Sequence, residues 1–141
     1  MPAVFEQDGI RFQYPENWSL ERGEHDSGWS VTVQSRDTAF LSLSYHADQS
    51  DMAALADSAL KAMREEYDEI ESDPTLETLA GLPAVGHDVR FYCLDLTNTA
   101  WIRAFACEEG CVLILCELND LELERNGAVL KAICASLKID D

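Results

Sequence analysis

The spacing of apolar residues alternates between two periods along this sequence, and this limits the fold more than any other feature. Near the start, Ile10, Phe12 and Tyr14 recur at every second position, as in a half-buried strand. From residue 52 the apolar residues follow the spacing of one helix face. Alternation returns between residues 85 and 118, and a helical spacing closes the sequence. The sequence therefore predicts an α+β fold with the element order ββββ-α-βββ-α.

The strand pattern predicts one antiparallel sheet of about seven strands. A hairpin turning at Asp8-Gly9 joins residues 4–6 to the next strand, which Pro15 ends. Residues 19–28 are predicted to form a polar loop. Because residues 111–118 are apolar on both faces, we expect a central strand covered on both sides, with a helix on each face. The main predicted strands are residues 10–14, 29–35, 40–45, 85–94, 100–107 and 111–118.

Two helices are predicted, near residues 50–67 and 120–137. Ser50 or Asp51 can cap the first helix, and Asn119 or Asp120 can begin the second. Gly127 interrupts the second helix at a cost of about 1 kcal/mol relative to alanine, which indicates close packing there or an irregular first turn. Together with the sheet, these helices predict a three-layer α/β/α sandwich.

The whole chain, residues 1–141, is expected to form one domain. No repeat, low-complexity tract or linker divides it, and 47% hydrophobic residues are typical of a globular protein. The longest apolar run, residues 111–116, is far shorter than the roughly 20 residues that span a bilayer. The first residues lack the pattern of a secretory signal. We therefore expect a cytoplasmic protein.

The element order, the segment Phe12-x-Tyr14-Pro15-x-x-Trp18 and the terminal Ser136-Leu137 are similar to those of a known fold group. The sequence resembles the group shared by the extrinsic PsbP protein of photosystem II, the Ran-binding nuclear import factor and bacterial families that include effector chaperones. The resemblance covers nearly the whole chain. It implies a three-layer sandwich around an antiparallel sheet and a non-enzymatic accessory or adaptor role. No functional residue is carried over from it.

The net charge of −17 excludes some classes of partner and suggests another. Such a surface repels nucleic-acid phosphates and anionic lipids, so neither is an expected partner. The charge can serve solubility alone, or it can attract a basic protein. For the second interpretation we single out an acidic segment that no base interrupts. It consists of Glu65, Glu66, Asp68, Glu69, Glu71 and Asp73.

The sequence contains no recognisable catalytic motif, and we predict no enzyme activity, cofactor or metal site. It lacks a nucleophile elbow, a phosphate-binding glycine loop and a zinc-protease motif. The spacing does not bring His25, His46 and His87 together, so ordinary structural positions are favoured over metal ligation. The acids at Glu108-Glu109 and Asp95 are not flanked by apolar residues that would raise a carboxyl pKa.

Five cysteines, an odd number, fit a reducing compartment. Cys107 and Cys111 flank a Glu-Glu-Gly turn and are expected to face each other across a hairpin, within reach of a disulfide. Two reduced thiols are nevertheless favoured there, and all five thiols are predicted to be reduced in the cell. Cys93, Cys116 and Cys134 are interpreted as core residues.

Three functions remain open at this point. The first is a non-enzymatic cytoplasmic binding, adaptor or chaperone-like protein that holds another protein. The second is a carrier of a small molecule or apolar peptide, with an aromatic pocket between sheet and helix, for which the candidate residues are Trp29, Tyr45 and Trp101. The third is an enzyme whose catalytic residues form no recognisable motif. For these aromatic residues a core position is favoured over a ligand site.

Overall fold

A computed structural model describes residues 2–140 and contains two helices and two antiparallel sheets. The α+β class, the antiparallel sheet and the expected fold group are confirmed. The helices are α1 (Met52–Glu66) and α2 (Leu123–Ala135), and a 3-10 turn (Asp120–Glu122) precedes α2. The strands are β1 (Pro2–Gln7), β2 (Ile10–Pro15), β3 (Ser19–His25), β4 (Gly28–Gln34), β5 (Phe40–His46), β6 (Ile70–Leu79), β7 (Leu82–Cys93), β8 (Leu96–Cys107), β9 (Gly110–Asn119) and β10 (Lys138–Ile139).

The main sheet has seven strands in the order β3-β4-β5-β9-β8-β7-β6. The chain builds β3 to β5 as one meander, crosses through α1 to the far edge, and returns strand by strand to the centre. There β9 pairs with β5, with Leu43 opposite Ile114. The strand predicted to be central, residues 111–118, therefore lies in the middle of the sheet.

The two helices cover opposite faces of the main sheet, as expected. Because side chains alternate along a strand, Cys111 of β9 packs with the α1 residues Leu60 and Met63. The next residue, Val112, belongs to the opposite core with Leu130 and Ile133 of α2. The three-layer arrangement follows directly from this double-sided apolar pattern.

The first hairpin is a correction to the predicted sheet. Strands β1 and β2 form a separate three-stranded sheet with β10, in which Ile139 pairs with Ile10. Its apolar face, with Phe5, Ile10 and Phe12, is buried against the same core that α2 covers. Alternation predicted the buried face of this hairpin correctly, but it does not specify which sheet the strand joins.

Two further strands differ from the sequence-based expectation. The predicted polar loop at residues 19–28 contains β3, an edge strand with almost every side chain exposed. The segment before Pro74 was not predicted as a strand, but β6 begins at Ile70 and runs through this proline. Proline is tolerated there because β6 is an edge strand, where one side of the backbone needs no ladder partner.

The helix ends agree with the capping signals. Asp51 caps α1, and its Oδ1 accepts a hydrogen bond from the Ala54 amide at 3.1 Å. Gly127 is buried in α2, where an added Cβ would lie 3.7 Å from the Trp101 ring and 3.2 Å from Leu123 Cδ1. The glycine thus permits close packing of α2, and the 3-10 turn before it makes the helix start irregular. Neither helix of residues 2–140 is long and apolar enough to cross a membrane.

Candidate functional site

Helix α2 lies between two surface grooves, which together form the candidate site. The first, which we call the apolar groove, has a volume of about 680 Å³. One wall is the end of β2, with Tyr14 and Pro15, and the other is α2, with Val129, Ala132 and Ile133. The volume lies within the range of roughly 300–1,000 Å³ typical of ligand sites.

Hydrogen bonds fix the two walls of the apolar groove relative to each other. The Gln13 amide donates to Ser136 Oγ at 2.8 Å, and the Ser136 hydroxyl lies 2.7 Å from the Ile133 carbonyl oxygen. On the other side, the Trp18 amide donates to the Pro15 carbonyl at 3.0 Å and closes the turn after β2. The groove is therefore held open by the fold itself, without a ligand.

The second groove lies on the other side of α2, between this helix and strands β6 to β8. We call it the acidic groove. It consists of two adjoining depressions of about 480 and 530 Å³, and both are lined by Asp88, Trp101 and Lys131. The Lys131 ammonium lies 5.3 Å from the centroid of the Trp101 ring, a cation–π contact. Asp73 and Glu124 line the shallower end.

Arg103 lies at the floor of the acidic groove and is already neutralised. Its guanidinium donates to Glu77 Oε2 at 2.5 Å and to Asp88 Oδ1 at 2.7 Å, and its side chain is only 11% exposed. Burial opposes its charge, but these two carboxylates outweigh burial and raise the Arg103 pKa. This arginine is therefore held by the protein and adds little positive potential to the groove.

The exposed face of α2 forms a ridge that separates the two grooves. Ala128 lines both of them, since it faces the apolar groove on one side and the acidic groove on the other. Ala128 and Ala132 are exposed and small. A bound segment can therefore cross the ridge and contact both grooves.

The structure places the acidic segment at one edge of the main sheet, with all six side chains exposed. Glu65 and Glu66 lie in the last turn of α1, and Asp68 and Glu69 lie in the connection to β6. Glu71 is opposite Arg90 and Asp73 is opposite Asp88 on β7. Only Asp73 lines the acidic groove. The remaining five extend the negative charge away from it.

The three aromatic residues predicted for a pocket do not share one cavity. Trp29 is buried, its ring stacks on Tyr45 at 6.0 Å, and its Nε1 donates to Asp8 Oδ2 at 2.8 Å. Tyr45 lines a separate depression of about 530 Å³. Trp101 lines the acidic groove.

The apolar groove was missed in the sequence because its residues have ordinary structural explanations. Tyr14 and Pro15 form the end of a strand, and Ala128, Ala132 and Ser136 are spaced like one face of a helix. The available signal was this row of small residues beside the buried Ile133. It shows that this face of α2 carries only short side chains, but not what faces it.

The histidines give a second correction. His25 and His46 were expected to lie apart, but their ring centroids are 4.8 Å apart. Strand β3, which was not predicted, places His25 opposite Gly28 of β4, and Gly28 is opposite His46 of β5. Because Gly28 has no side chain, the two imidazole rings meet across it. Burial, and then His25, lowers the His46 pKa. His87 bonds Asp57 of α1 at 2.9 Å. Within residues 2–140, no three histidine, cysteine or acidic side chains are placed to hold a metal ion.

The cysteine expectations also change. Cys107 pairs with Gly110, and Cys111 pairs with Ala106, so the two thiols point to opposite faces rather than towards each other. The turn between β8 and β9 consists of Glu108 and Glu109 alone, whereas a three-residue Glu-Glu-Gly turn was expected. The pairing of the two strands is therefore shifted by one residue. Cys93 is exposed at the end of β7 and is not a core residue. Cys116 and Cys134 pack in the core, as expected.

Two carboxyls are buried in ways that the sequence did not reveal. Glu122 is 8% exposed and accepts hydrogen bonds from the Thr38 amide and hydroxyl, the Ala39 amide and Asn126. These bonds overcome the effect of burial and lower its pKa. Glu117 is half-buried on β9, and burial, with a smaller effect of Glu66, raises its pKa to about 7. Neither glutamate lines one of the two grooves.

Comparison with known proteins defines the class of this chain by its fold. No protein-family model matches the sequence, and no curated protein sequence matches it. Several solved structures share the whole fold, and they place the chain in a PsbP-like fold group. One is the cyanobacterial PsbP of Synechocystis, with 12% identity, a TM-score of 0.67, and coverage of 99% of this chain and 92% of that protein.

Two other solved structures extend the same group. A Pseudomonas aeruginosa protein of unknown function has 11% identity and a TM-score of 0.60, with 99% of this chain and 98% of that one covered. LpqN of Mycobacterium tuberculosis, involved in cell envelope biogenesis, has 13% identity and a TM-score of 0.58, with 100% and 90% covered. At these identities the likeness shows the fold alone.

Proposed function

We propose that this protein is a non-enzymatic binding protein that holds an extended segment of another protein across α2. The bound segment places apolar side chains in the apolar groove and basic side chains in the acidic groove. One observation carries this proposal: Ala128 lines both grooves, so a single ligand reaches both without a change in the fold. This arrangement fits an adaptor or chaperone-like role.

The apolar groove supplies the affinity in this proposal. Tyr14 and Pro15 on one wall and Val129 and Ile133 on the other offer apolar surface to a ligand. Each square ångström of apolar surface removed from water contributes about 25 cal/mol. Because hydrogen bonds already hold the walls, little conformational entropy is lost when a ligand binds.

The acidic groove supplies selectivity for a basic side chain. Two of the bases near this groove are paired with carboxylates, Arg103 with Glu77 and Asp88 and Arg90 with Asp120. Lys131 keeps its charge but is held over the Trp101 ring. Asp73 and Glu124 remain to attract a cation from the ligand. The net charge of −17 extends that attraction into solvent and raises the association rate.

The proposal includes a location and a range of partners. Five cysteines, an odd number, favour a reducing compartment such as the cytoplasm. The acidic surface disfavours nucleic acid and anionic membranes as partners. No catalytic step is part of the proposal, because the charged groups at the groove floor are occupied by one another.

A small apolar molecule is a second candidate ligand, favoured by the volume of the apolar groove, about 680 Å³. Such a carrier would use the apolar groove alone. Its binding would then be insensitive to salt and to charges in the acidic groove, which distinguishes it from the binding of a basic segment.

The proposal can be tested by titrating isotope-labelled protein with a short peptide that carries leucines at one end and lysines at the other. We expect amide shifts along both walls of α2, and weaker binding when glutamates replace the lysines or when salt is raised. Ala132→Glu should abolish binding, since it places a charge in the apolar groove. Ala62→Glu is the control, because Ala62 is also exposed on a helix but lines neither groove.

Some results would overturn the proposal. If the lysine and glutamate peptides bind equally, the acidic groove plays no part. If a small apolar probe shifts only the apolar groove and the peptide shifts nothing, the protein is a carrier. If neither ligand shifts residues near α2, this surface is not a binding site.

A further inference from the structure

Two cysteines from different elements meet between α2 and the main sheet. Cys116 lies on the central strand β9 and is 1% exposed, and Cys134 lies in the last turn of α2 and is half-buried. Both belong to the core that α2 covers. They also line the same depression of the acidic groove. The fold therefore brings together two thiols that are far apart in the sequence.

The two cysteines line the same depression from facing elements, and their environments differ, since Cys116 is buried and Cys134 is half-buried. Interaction with the Cys116 thiol lowers the Cys134 pKa and outweighs the opposing effect of burial. The same interaction, and then burial, raises the Cys116 pKa. Because Cys134 is half-buried and Cys116 is buried, Cys134 is the more accessible thiol and the candidate nucleophile of the pair.

The acidic groove gives a small oxidant access to this pair. Its deeper depression, about 530 Å³, is lined by both cysteines together with Trp101, Arg103 and Lys131. Cys134 is half-buried and Cys116 is buried, so a small disulfide that enters this depression meets Cys134 first.

The other three cysteines are placed differently. Cys111 is buried on the opposite face of the sheet, in the core that α1 covers. Cys93 is exposed at the end of β7, and the Cys107 thiol lies 3.4 Å from the Gly110 carbonyl oxygen at the end of β8. Among the described residues, Cys116 and Cys134 are thus the two cysteines that line one depression from two different elements, β9 and α2.

We propose that Cys116 and Cys134 form a redox-active dithiol site that closes to a disulfide in the presence of a low-molecular-weight disulfide. The Cys134 thiolate attacks one sulfur of the small disulfide and releases one small thiol, which leaves a mixed disulfide. The Cys116 sulfur then gives up its proton and attacks the Cys134 sulfur, and the second small thiol leaves. The protein loses two electrons and two hydrogens, and the small disulfide is reduced to two thiols.

The bond would tie the end of α2 to the centre of the main sheet. It would stabilise the folded protein by constraining the unfolded chain. It would also fix the wall of the acidic groove. This inference does not rest on the proposed binding function, since the two thiols meet whether or not a partner is bound.

The experiment equilibrates the folded protein with glutathione buffers of increasing oxidation, quenches with acid, and counts thiols after denaturation. We expect closure of the pair to remove two of the five thiols of the reduced protein, and exposed Cys93 to take up glutathione in addition. Proteolysis without reduction should yield one linked peptide pair that contains Cys116 and Cys134. The oxidised form should unfold at a higher urea concentration than the reduced form.

A double variant removes Cys93 and Cys107, the accessible thiols outside the pair, so that their reaction with glutathione does not affect the count. The double variant C93S/C107S retains Cys111, Cys116 and Cys134, and should show the same closure. Adding Cys116→Ser should stop the reaction at the mixed disulfide with one glutathione on Cys134, whereas adding Cys134→Ser should leave both remaining thiols unmodified. A thiol count that stays at three in the double variant, or a linked pair that contains Cys111, would overturn the proposal.

Discussion

Glu117 and Glu122 lie close in sequence, but their pKa values move in opposite directions. Glu122 accepts four hydrogen bonds, which hold it ionised and attach the turn after β4 to the start of α2. Glu117 faces the α1 side of the sheet, where burial and Glu66 disfavour its charge. Whether a buried carboxyl stays ionised thus depends on the hydrogen-bond donors and charges around it, and not on its burial alone.

Glu117→Gln is expected to stabilise the protein above neutral pH. The Glu117 pKa is about 7 in the folded state against an ordinary value of 4.5. Between these values the folded protein binds more protons than the unfolded chain, so this group makes stability fall as pH rises from about 4.5 to 7. Glutamine removes that penalty, and we expect a gain of about 1–2 kcal/mol at pH 8 after allowing for partial solvent screening.

Urea unfolding of both proteins at pH 5 and pH 8 measures this effect. The gain should be small at pH 5 and full at pH 8. The control is Glu108→Gln on the exposed β8–β9 turn, which should show no such pH dependence. An equal gain at both pH values would mean that the Glu117 charge is not the cause.

Neither glutamate could have been assigned from the sequence. Glu117 lies within the apolar run of β9, which indicates that its side chain is partly buried. Its charged neighbour Glu66 is the last residue of α1, and this contact cannot be read from the sequence. The partners of Glu122, Thr38 and Ala39, lie in a turn far away in the sequence. Local patterns give the face on which a side chain lies, but its donors depend on tertiary contacts.

Helix α2 stabilises the fold through a narrow apolar face. Ile133 is 3% exposed in the core between α2 and the sheet. Ile133→Asp places a charge without a partner in that core, so we expect a loss of more than about 3 kcal/mol. Thermal and urea unfolding should detect it. Ala135→Asp, which adds the same side chain at an exposed position two residues later, should cost less than about 1 kcal/mol. A wild-type midpoint for Ile133→Asp would contradict the packing of α2.

The helices and central strands were predicted because their apolar spacing is strong and their caps are local. Strand β3 was not predicted because Leu20 is its only large aliphatic residue, and it is a strand through its pairing with β4 rather than through its own pattern. The hairpin of β1 and β2 was predicted as a hairpin but assigned to the wrong sheet. Alternation of apolar residues predicts which face of a strand is buried. Which strands it pairs with depends on the remainder of the chain.

In our proposal the acidic segment raises the association rate through its charge at the sheet edge, where Asp73 lines the acidic groove, rather than through the net charge of the protein. Replacing Glu65, Glu66, Glu69 and Glu71 with glutamine should slow association with the lysine peptide several-fold and leave dissociation nearly unchanged. Stopped-flow fluorescence measures both rates. All four side chains are exposed, so the variant should stay folded, and its unfolding midpoint should not fall because removing Glu66 only relieves repulsion of Glu117.

A charge-matched variant separates the local effect from the global one. Replacing Glu21, Glu24, Glu108 and Glu109 with glutamine changes the net charge equally, on β3 and the β8–β9 turn. With a screening length of about 8 Å at physiological salt, these distant charges should affect association much less. If both variants slow association equally, only the net charge matters. If neither does, the acidic segment serves solubility.

The candidate site shows the same division between local and long-range information. The sequence singled out an acidic segment that follows the first helix and aromatic residues for a pocket between sheet and helix. These include Asp73 and Trp101, which line the acidic groove. The sequence did not predict the apolar groove, because β2 and the end of α2 are brought together only by tertiary hydrogen bonds. When a site lies between elements that are distant in sequence, its residues can be recognised as one group only after the fold is known.

The pairing of β5 with β9 at the centre of the main sheet has a consequence for the order of folding. Strands β3 to β5 form one meander and β6 to β9 form another, so each can assemble from neighbours in sequence. The pairs that join them, such as Phe40 with Glu117, close a long loop of chain. Loop closure of this length slows folding. We infer that the two halves form early and that their joining limits the rate at which the native sheet appears.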